Sequence, residues 1–498
     1  MKNDKQFVLG QKVYEHPDWY HVTLPNRYIL SYHKDLPVYF NDRKDLILIG
    51  RAWQVDPNRC CPTDEINRLT AETTAVSQAQ IIDMEKTWCG RYIIISHDTI
   101  YLDAGALLNV FHSDEYVTSS LNILCTLEKR KMRYPKICHH VNPDFIFGTH
   151  TPYPGVKRVL PSQIYHYTTH STENRKIIPD GILSYSSDQE RAEAFSHYFV
   201  HFLQNLAQSS PHQTLMLALT GGHDSRITMA MLEKSGVNYD IFSFAHPRIS
   251  HEDRETPVKL SGLCHRKFHF IPRNPADFSA DRYNDYREHT AGLTIDEDLK
   301  MYAHNQFETL RKEIGTDLIL IRGAIWEDVI EYYKPKSADF NLLDFYPLIQ
   351  YDPEALAFAC EWKANALNDP LNQDFGINNR LYLDLRVGCW VSAIEHGFDM
   401  MEGITSVQGF NCRLFKSILL GFDKAMRQDK KHQEYITQLV CPVLGTVPYD
   451  TDNYGTAGKK QIAIRFLQSL NGTRKVYGLK HTVCHVLSRC KKFTKRFS

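Results

Sequence analysis

The stretch LMLALTGGHDSR, Leu215 to Arg226, constrains the fold more than any other in the chain. Its apolar run reads as a strand buried on both faces. Thr220, Gly221 and Gly222 break that run. From Asp224 the period becomes helical, with Ile227, Ala230 and Met231 at i, i+3 and i+4. Asp224 or Ser225 is the expected helix cap. A strand, a glycine turn and a helix start aim backbone N–H groups and a positive dipole end at one spot, where an anion can sit.

The surrounding sequence repeats this alternation. Gln189–Gln208 reads as a helix, Tyr239–Ala245 as a second strand and His251–Leu263 as a helix that must take Pro257 early or kink. Lys267–Ile271 and Leu318–Ile321 read as third and fourth strands. Such alternation predicts a parallel sheet with helices on its faces, and ligands beyond the carboxyl ends of the strands. The TGGHDS turn and Gly323 both lie at such ends. The fold class is therefore α/β from about residue 187.

The glycine turn is neither of the common phosphate loops. GxxxxGK[ST] and GxGxxG are both absent. In their place an acid and a hydroxyl stand on the first helical turn. A carboxylate repels phosphate unless a divalent cation lies between them, so Asp224 points to Mg2+ and Ser225 to a hydroxyl on phosphate. A structural strand-to-helix turn is the competing explanation of this stretch alone.

The balance of 58 basic and 58 acidic residues argues against a general nucleic-acid binder. No apolar run approaches a membrane span, and MKNDKQFVLG lacks the apolar core of a signal peptide. The 12 cysteines include no CxxC pair, which fits reduced thiols and a cytoplasmic protein. Residues 453–498 form a basic tail with no acid. It is either a solvated tail or a contact for an anionic surface.

Residues 1–130 read as mostly β, with strands Leu46–Gly50, Arg91–Ser96 and Thr99–Ala104 and a helix across Thr63–Lys86. Residues 131–186, rich in proline, read as a packed connector. Residues 187–452 then form the strand-helix domain, and 453–498 the tail.

TGGHDSR resembles the SGGxDS pyrophosphate loop of the N-type ATP pyrophosphatases, and the chain as a whole resembles the asparagine synthetase family. IRGAIWED (Ile321–Asp328) is similar to that family's second loop, and LYLDLRVGCWVSAIEHGFDM (Leu381–Met400) to its helix with an Arg and a Trp. GFNCRLFKSIL and CPVLGTVPYD resemble its C-terminal segments. GRYIII, DTIYLDAGALLNVFH and SSLNIL resemble the run of a class II glutamine amidotransferase domain, a β-sandwich. A working glutaminase of that class carries Cys after the initiator Met; here Lys2 stands there and the first cysteine is Cys60. The expectation is a degenerate amidotransferase-like domain without glutaminase activity.

The resemblance implies adenylation of a substrate carboxylate by ATP, release of pyrophosphate, and displacement of AMP by ammonia or an amine. It places Thr220, Gly221, Gly222, His223, Asp224 and Ser225 around the phosphates, with Phe244 at the adenine and Gly323 in the second loop. Asp224 and Glu327 would hold Mg2+, with Asp328 a further candidate ligand. Lys459, or its neighbour Lys460, is the expected lysine near the α-phosphate. Asp253 is either a family acid or a helix cap. Arg226 reaches either phosphate or a carboxylate, and Arg386 and Arg413 are either structural or face the substrate. Trp326 is bulkier than the family's residue and challenges the loop geometry. The implied partners are a small or glycan-linked carboxylic acid, a nitrogen donor and a second copy in a homodimer. A non-catalytic ATP-binding scaffold and an RNA-modifying enzyme on the same loop are the alternatives.

Overall fold

The computed structural model describes residues 4–449 except 74, 132–147, 180–184, 246–248, 250, 273–279, 291–292, 294–296, 334–340, 347–348 and 350–352. Met1–Pro448 is one unit and Tyr449–Ser498 a second. The basic tail, with Lys459 and Lys460, lies outside the described residues.

Two six-stranded antiparallel sheets build the N-terminal part. One runs in the order Lys157–Arg158, Phe111–His112, Tyr116–Thr118, Phe7–Gly10, Ile29–His33, Trp19–Thr23. The other runs Ser171–Asn174, Gln163–His166, Thr99–Leu102, Trp88–Ser96, Leu46–Gln54, Val38–Phe40. Phe7, Leu9 and Leu30 from the first meet Ile47, Ile93 and Leu102 from the second in one buried cluster, so the sheets pack face to face. Two helices, Pro62–Glu72 and Gln78–Glu85, cover the outer face of the second sheet through Ile66, Ile81 and Met84. The sequence had suggested a single helix here. The break has a local cause: Ser77 and Gln80 form a capping box that starts the second helix afresh.

The stretch expected to be a connector supplies three strands to these sheets, through Lys157–Arg158, Gln163–His166 and Ser171–Asn174. Its prolines misled because Pro154 and Pro161 flank the strands rather than interrupt them.

The C-terminal part is α/β. Its five parallel strands stand in the order Phe268–Ile271, Asp240–Phe244, Gln213–Ala218, Asp317–Arg322, Ile404–Gln408. Leu215, Leu217, Ile319 and Ile321 face one cluster, while Met216, Leu318 and Leu320 face another. Both faces are therefore covered, as the continuous apolar runs required. The first four strands match the sequence reading to within a few residues; the fifth, Ile404–Gln408, was not foreseen. Pro257 lies inside the helix His251–Leu263. The chain winds outwards in one direction from Gln213–Ala218 and in the other from Asp317–Arg322. The gap beyond their carboxyl ends is thus the topological switch point, where open sheets of this kind bind ligands.

Buried ion pairs join the two parts. Glu85 accepts from Arg175 at 2.6 Å and from Arg413 at 2.9 Å. Arg413 also donates to the carbonyls of Ile177 and Leu102. Arg413 is therefore structural.

Candidate functional site

The strand Gln213–Ala218 leads through Leu219 and Thr220 to a helix at His223–Ser235. Gly222 is its N-cap, not Asp224 or Ser225, which already lie on the first turn. Ser225 folds back instead: its Oγ accepts from the Thr220 N–H at 3.1 Å and lies 3.0 Å from the Thr220 hydroxyl. Asp253 Oδ1 accepts from the Gly221 N–H at 2.9 Å, so this acid braces the loop. Gly222 N–H reaches Thr220 Oγ1 at 3.3 Å. The turn is thus held from within, and two of the N–H groups expected to cradle phosphate have protein partners. Arg226 is fully buried and donates to the carbonyls of Gly221, Leu444, Val447 and Pro448. It ties the loop to the segment Pro442–Pro448.

The neighbouring strand Asp317–Arg322 opens into the second loop through Gly323 and Ala324. A Cβ on Gly323 would approach the carbonyl of Asp224 at 3.4 Å and the Trp326 ring at 3.1 Å, which shows how closely the two loops pack. A short 3-10 turn, Trp326–Val329, follows. Trp326 packs inward beneath the loop, against Gly323. Its ring is fully buried, stacked on Phe410 at 4.4 Å and set edge-on to Phe195 at 5.8 Å. The bulky residue therefore anchors the turn and leaves Glu327 free to face the first loop. Asp328 turns the opposite way. It is fully buried in an ion pair with Lys416, so it is not available as a metal ligand. Burial pushes its carboxyl up to about 6 against the opposing pull of Lys416.

The two loops converge through Lys430. Its Nζ lies 3.3 Å from both carboxylate oxygens of Asp224 and 3.4 Å from Glu327 Oε1. Lys430 sits in the left-handed region, with φ 57°, just before the helix Lys431–Val440. From that helix Glu434 meets His223 at 3.0 Å, which makes His223 a docking residue of the loop. Tyr382 Oη donates to the other oxygen of Glu327 at 2.8 Å. Tyr382 opens a π-helical segment, Tyr382–Val391, a distortion often found at functional sites. Burial, and after it the charge of Glu327, pushes Asp224 up to about 6 although Lys430 opposes. Burial and the same Glu327 charge hold the Tyr382 phenol well above its usual range, so it remains a donor.

Two carboxylates brought together from two adjoining loops offer oxygen donors that suit a divalent cation. Asp224 and Glu327 could hold Mg2+ between them. Lys430 was not found from the sequence, which had turned to Lys459; nothing in QDKKHQEY marks one of its lysines, and only the fold brings it here.

Two other expected residues pack against neighbouring rings. The Phe244 ring packs against Phe307 at 4.7 Å and Phe242 at 5.1 Å. Beyond it, Ala245 donates to Ile271 and accepts from Gln306, so this backbone is engaged; His246 lies outside the described residues. Arg386 stacks over Trp390 at 3.7 Å.

No protein-family model matches the sequence, and no curated protein matches it. Solved structures do. The NMN synthetase from Francisella tularensis is similar at 17% identity and TM-score 0.21, over 33% of this chain and 70% of that one. The NH3-dependent NAD synthetase from Campylobacter jejuni is similar at 12% and 0.24, over 44% and 98%. The NAD+ synthetase from Burkholderia pseudomallei is similar at 12% and 0.20, over 36% and 94%. Scores this low bear no weight for activity. Among the described residues no helix is long and apolar enough to cross a membrane.

Proposed function

We propose that the protein is an ATP-dependent ligase that activates a carboxylate as its adenylate and passes it to a nitrogen nucleophile. The observation that carries this reading is the meeting of Asp224, Glu327 and Lys430 at the switch point of the parallel sheet. The substrate carboxylate attacks the α-phosphorus of ATP, and the bond to the β-phosphate oxygen breaks, giving an acyl-adenylate and pyrophosphate. Ammonia or an amine then displaces AMP, forms the amide and loses a proton.

The residues have distinct roles in this scheme. Asp224 and Glu327 hold Mg2+, which when bound supplies charge neutralisation to the triphosphate. Ser225 and Thr220 brace the glycine turn through their mutual hydrogen bonds. Lys430 stabilises the negative charge that develops on the α-phosphate, the part first given to Lys459. Tyr382 fixes the rotamer of Glu327. The resemblance to asparagine synthetases supports the adenylation step, and the acceptor is a small or glycan-linked acid.

Pyrophosphate release from ATP and Mg2+ tests the proposal, with a panel of carboxylic acids that includes aspartate and uronic acids, and with ammonium as donor. Release that needs an acid and vanishes in Asp224→Ala is the expected result. ATP binding without release for any acid would sink it.

A further inference from the structure

The second loop leaves the sheet beside its last strand, and that neighbour holds it. Arg322, the final residue of Asp317–Arg322, stands in register with Gln408, the final residue of Ile404–Gln408. One backbone bond lies beyond the strands, from the Gly409 N–H to the Arg322 carbonyl at 3.3 Å. The chain then turns away through Gly323, and the Ala324 N–H lies past the end of both strands. Gln408 reaches it with its side chain: Oε1 accepts from the Ala324 N–H at 3.0 Å. The other end of the amide donates from Nε2 to Glu395 Oε1 at 2.7 Å. The same oxygen accepts from Arg322 at 2.9 Å. Arg322, Glu395 and Gln408 thus close a ring of contacts about Gly323. The amide has one possible orientation. Reversed, it would set its carbonyl against the Glu395 carboxylate and its NH2 against the Ala324 N–H. Gln408 and Glu395 are both buried, so water does not replace a lost partner.

We propose that Gln408 is a positioning residue for Glu327: its grip on the Ala324 N–H sets where the second loop leaves the sheet, and so where the Glu327 carboxylate stands. Its role rests on Asp224 and Glu327 holding Mg2+, as proposed above. Only Ile325 and Trp326 separate Ala324 from Glu327, and both are fully buried. That piece of chain has little slack. Trp326 pins it to the core through Phe195 and Phe410, and Gln408 pins the end where it enters. With one pin gone, the carboxylate swings about the other. The first loop feels the same shift, because a Cβ on Gly323 would already approach the Asp224 carbonyl at 3.4 Å. Gln408 acts on the ion through the loop, as groups behind a metal ligand do when they orient it.

Gln408→Leu and Gln408→Glu in the full chain test this. Leucine keeps the bulk and loses both hydrogen bonds. A protonated glutamic acid keeps both, since its carbonyl oxygen accepts from Ala324 and its O–H donates to Glu395. Burial beside Glu395 favours that protonated form. Calorimetry with an ATP analogue that cannot be cleaved between its α- and β-phosphates gives the Mg2+ concentration for half-maximal binding. The pyrophosphate assay gives it for half-maximal rate. Gln408→Leu should need about tenfold more Mg2+ in both, the cost of losing a group that orients a metal ligand. Once Mg2+ saturates, it should bind the analogue with nearly the native affinity, while turnover falls about 10–100-fold through the misplaced carboxylate. Gln408→Glu at pH 6 should match the native protein at the same pH. Gln408→Asn, an amide one methylene too short to span both partners, should behave as the leucine variant does, and replaces it if leucine prevents folding. A native Mg2+ requirement in these variants, whatever their urea midpoints, would overturn the proposal and leave Gln408 a purely structural residue. So would Gln408→Glu at pH 6 that is as impaired as Gln408→Leu. Analogue binding that ignores Mg2+ in the native protein would overturn it by removing its premise. Native protein that binds the analogue with Mg2+ but releases no pyrophosphate for any acid would sink the proposed reaction alone, and the binding measurement would still decide the role of Gln408.

Discussion

Lys430 Nζ lies 3.3 Å from both carboxylate oxygens of Asp224, a residue 206 positions earlier, and 3.4 Å from Glu327. One ammonium thus ties together two loops that leave adjacent strands. A charge at that point serves the developing phosphate charge only if it is present as an ammonium. Lys430→Met should lower the rate of pyrophosphate release about 100-fold or more, a loss typical of one preorganised electrostatic group. ATP binding should change far less. The same rate in Lys430→Met and the native protein would return the role to another lysine.

Glu327 and Asp328 are neighbours in sequence but part company in structure. Glu327 is 18% exposed and faces Lys430, whereas Asp328 is buried against Lys416. Glu327→Gln should lose about 100-fold or more in turnover and unfold at nearly the native denaturant midpoint. Asp328→Asn should leave Lys416 buried without its counter-charge, at about 3–5 kcal/mol of stability. Parallel activity and urea-unfolding measurements separate the two. Equal effects on stability would contradict the assignment.

The strands of the central sheet were legible because Leu215–Leu219 and Leu318–Ile321 are apolar on both faces and end in glycine turns. The fifth strand was not, since Thr405 and Ser406 in ITSVQ give a weak apolar signal. Asp224 was readable from local pattern, and Glu327 from the resemblance of IRGAIWED to the family's second loop. Lys430 was not, because a lysine among lysines acquires its role only when the fold carries it across the sheet. The direction of Trp326 was equally hidden: Phe195 and Phe410, which bury it, come from two distant segments.

His289 and His396 stack at 4.1 Å, and each ring Nε2 faces the other's carbonyl at 3.2 Å. Each Nε2 must carry a proton to donate, and burial of both rings favours the neutral form. Burial holds His289 down at about 4 and His396 well below its ordinary value. Protons then bind the unfolded chain more readily. For His289 the stability is present above about pH 6.5 and is lost as pH falls through about 4. The shift corresponds to roughly 3 kcal/mol, of which about 2 should be gone by pH 5. Urea unfolding at pH 7.5 and 5 checks this. His289→Gln, which keeps a donor for the carbonyl of His396, should reduce the drop by about 2 kcal/mol. An unchanged drop would show that His289 is protonated in the native state.

Arg226 bears on how the C-terminal segment is held. From the sequence it could reach a phosphate or a carboxylate; in the structure its guanidinium is buried and donates to the carbonyls of Gly221, Leu444, Val447 and Pro448. A planar fork with five N–H groups can serve carbonyls in several directions, and an ammonium on a flexible stem cannot. Arg226→Lys keeps the charge, so a phosphate contact would largely survive, with at most a change in KM for ATP. The structural role predicts otherwise. Carbonyls left without donors should cost about 2–4 kcal/mol in total, at about 1–3 kcal/mol for each buried group. Pro442–Thr446 should also loosen from the first loop, so limited proteolysis should cut there sooner than in the native chain. Native stability and native cleavage in Arg226→Lys, together with a raised KM for ATP, would move this arginine to the phosphates.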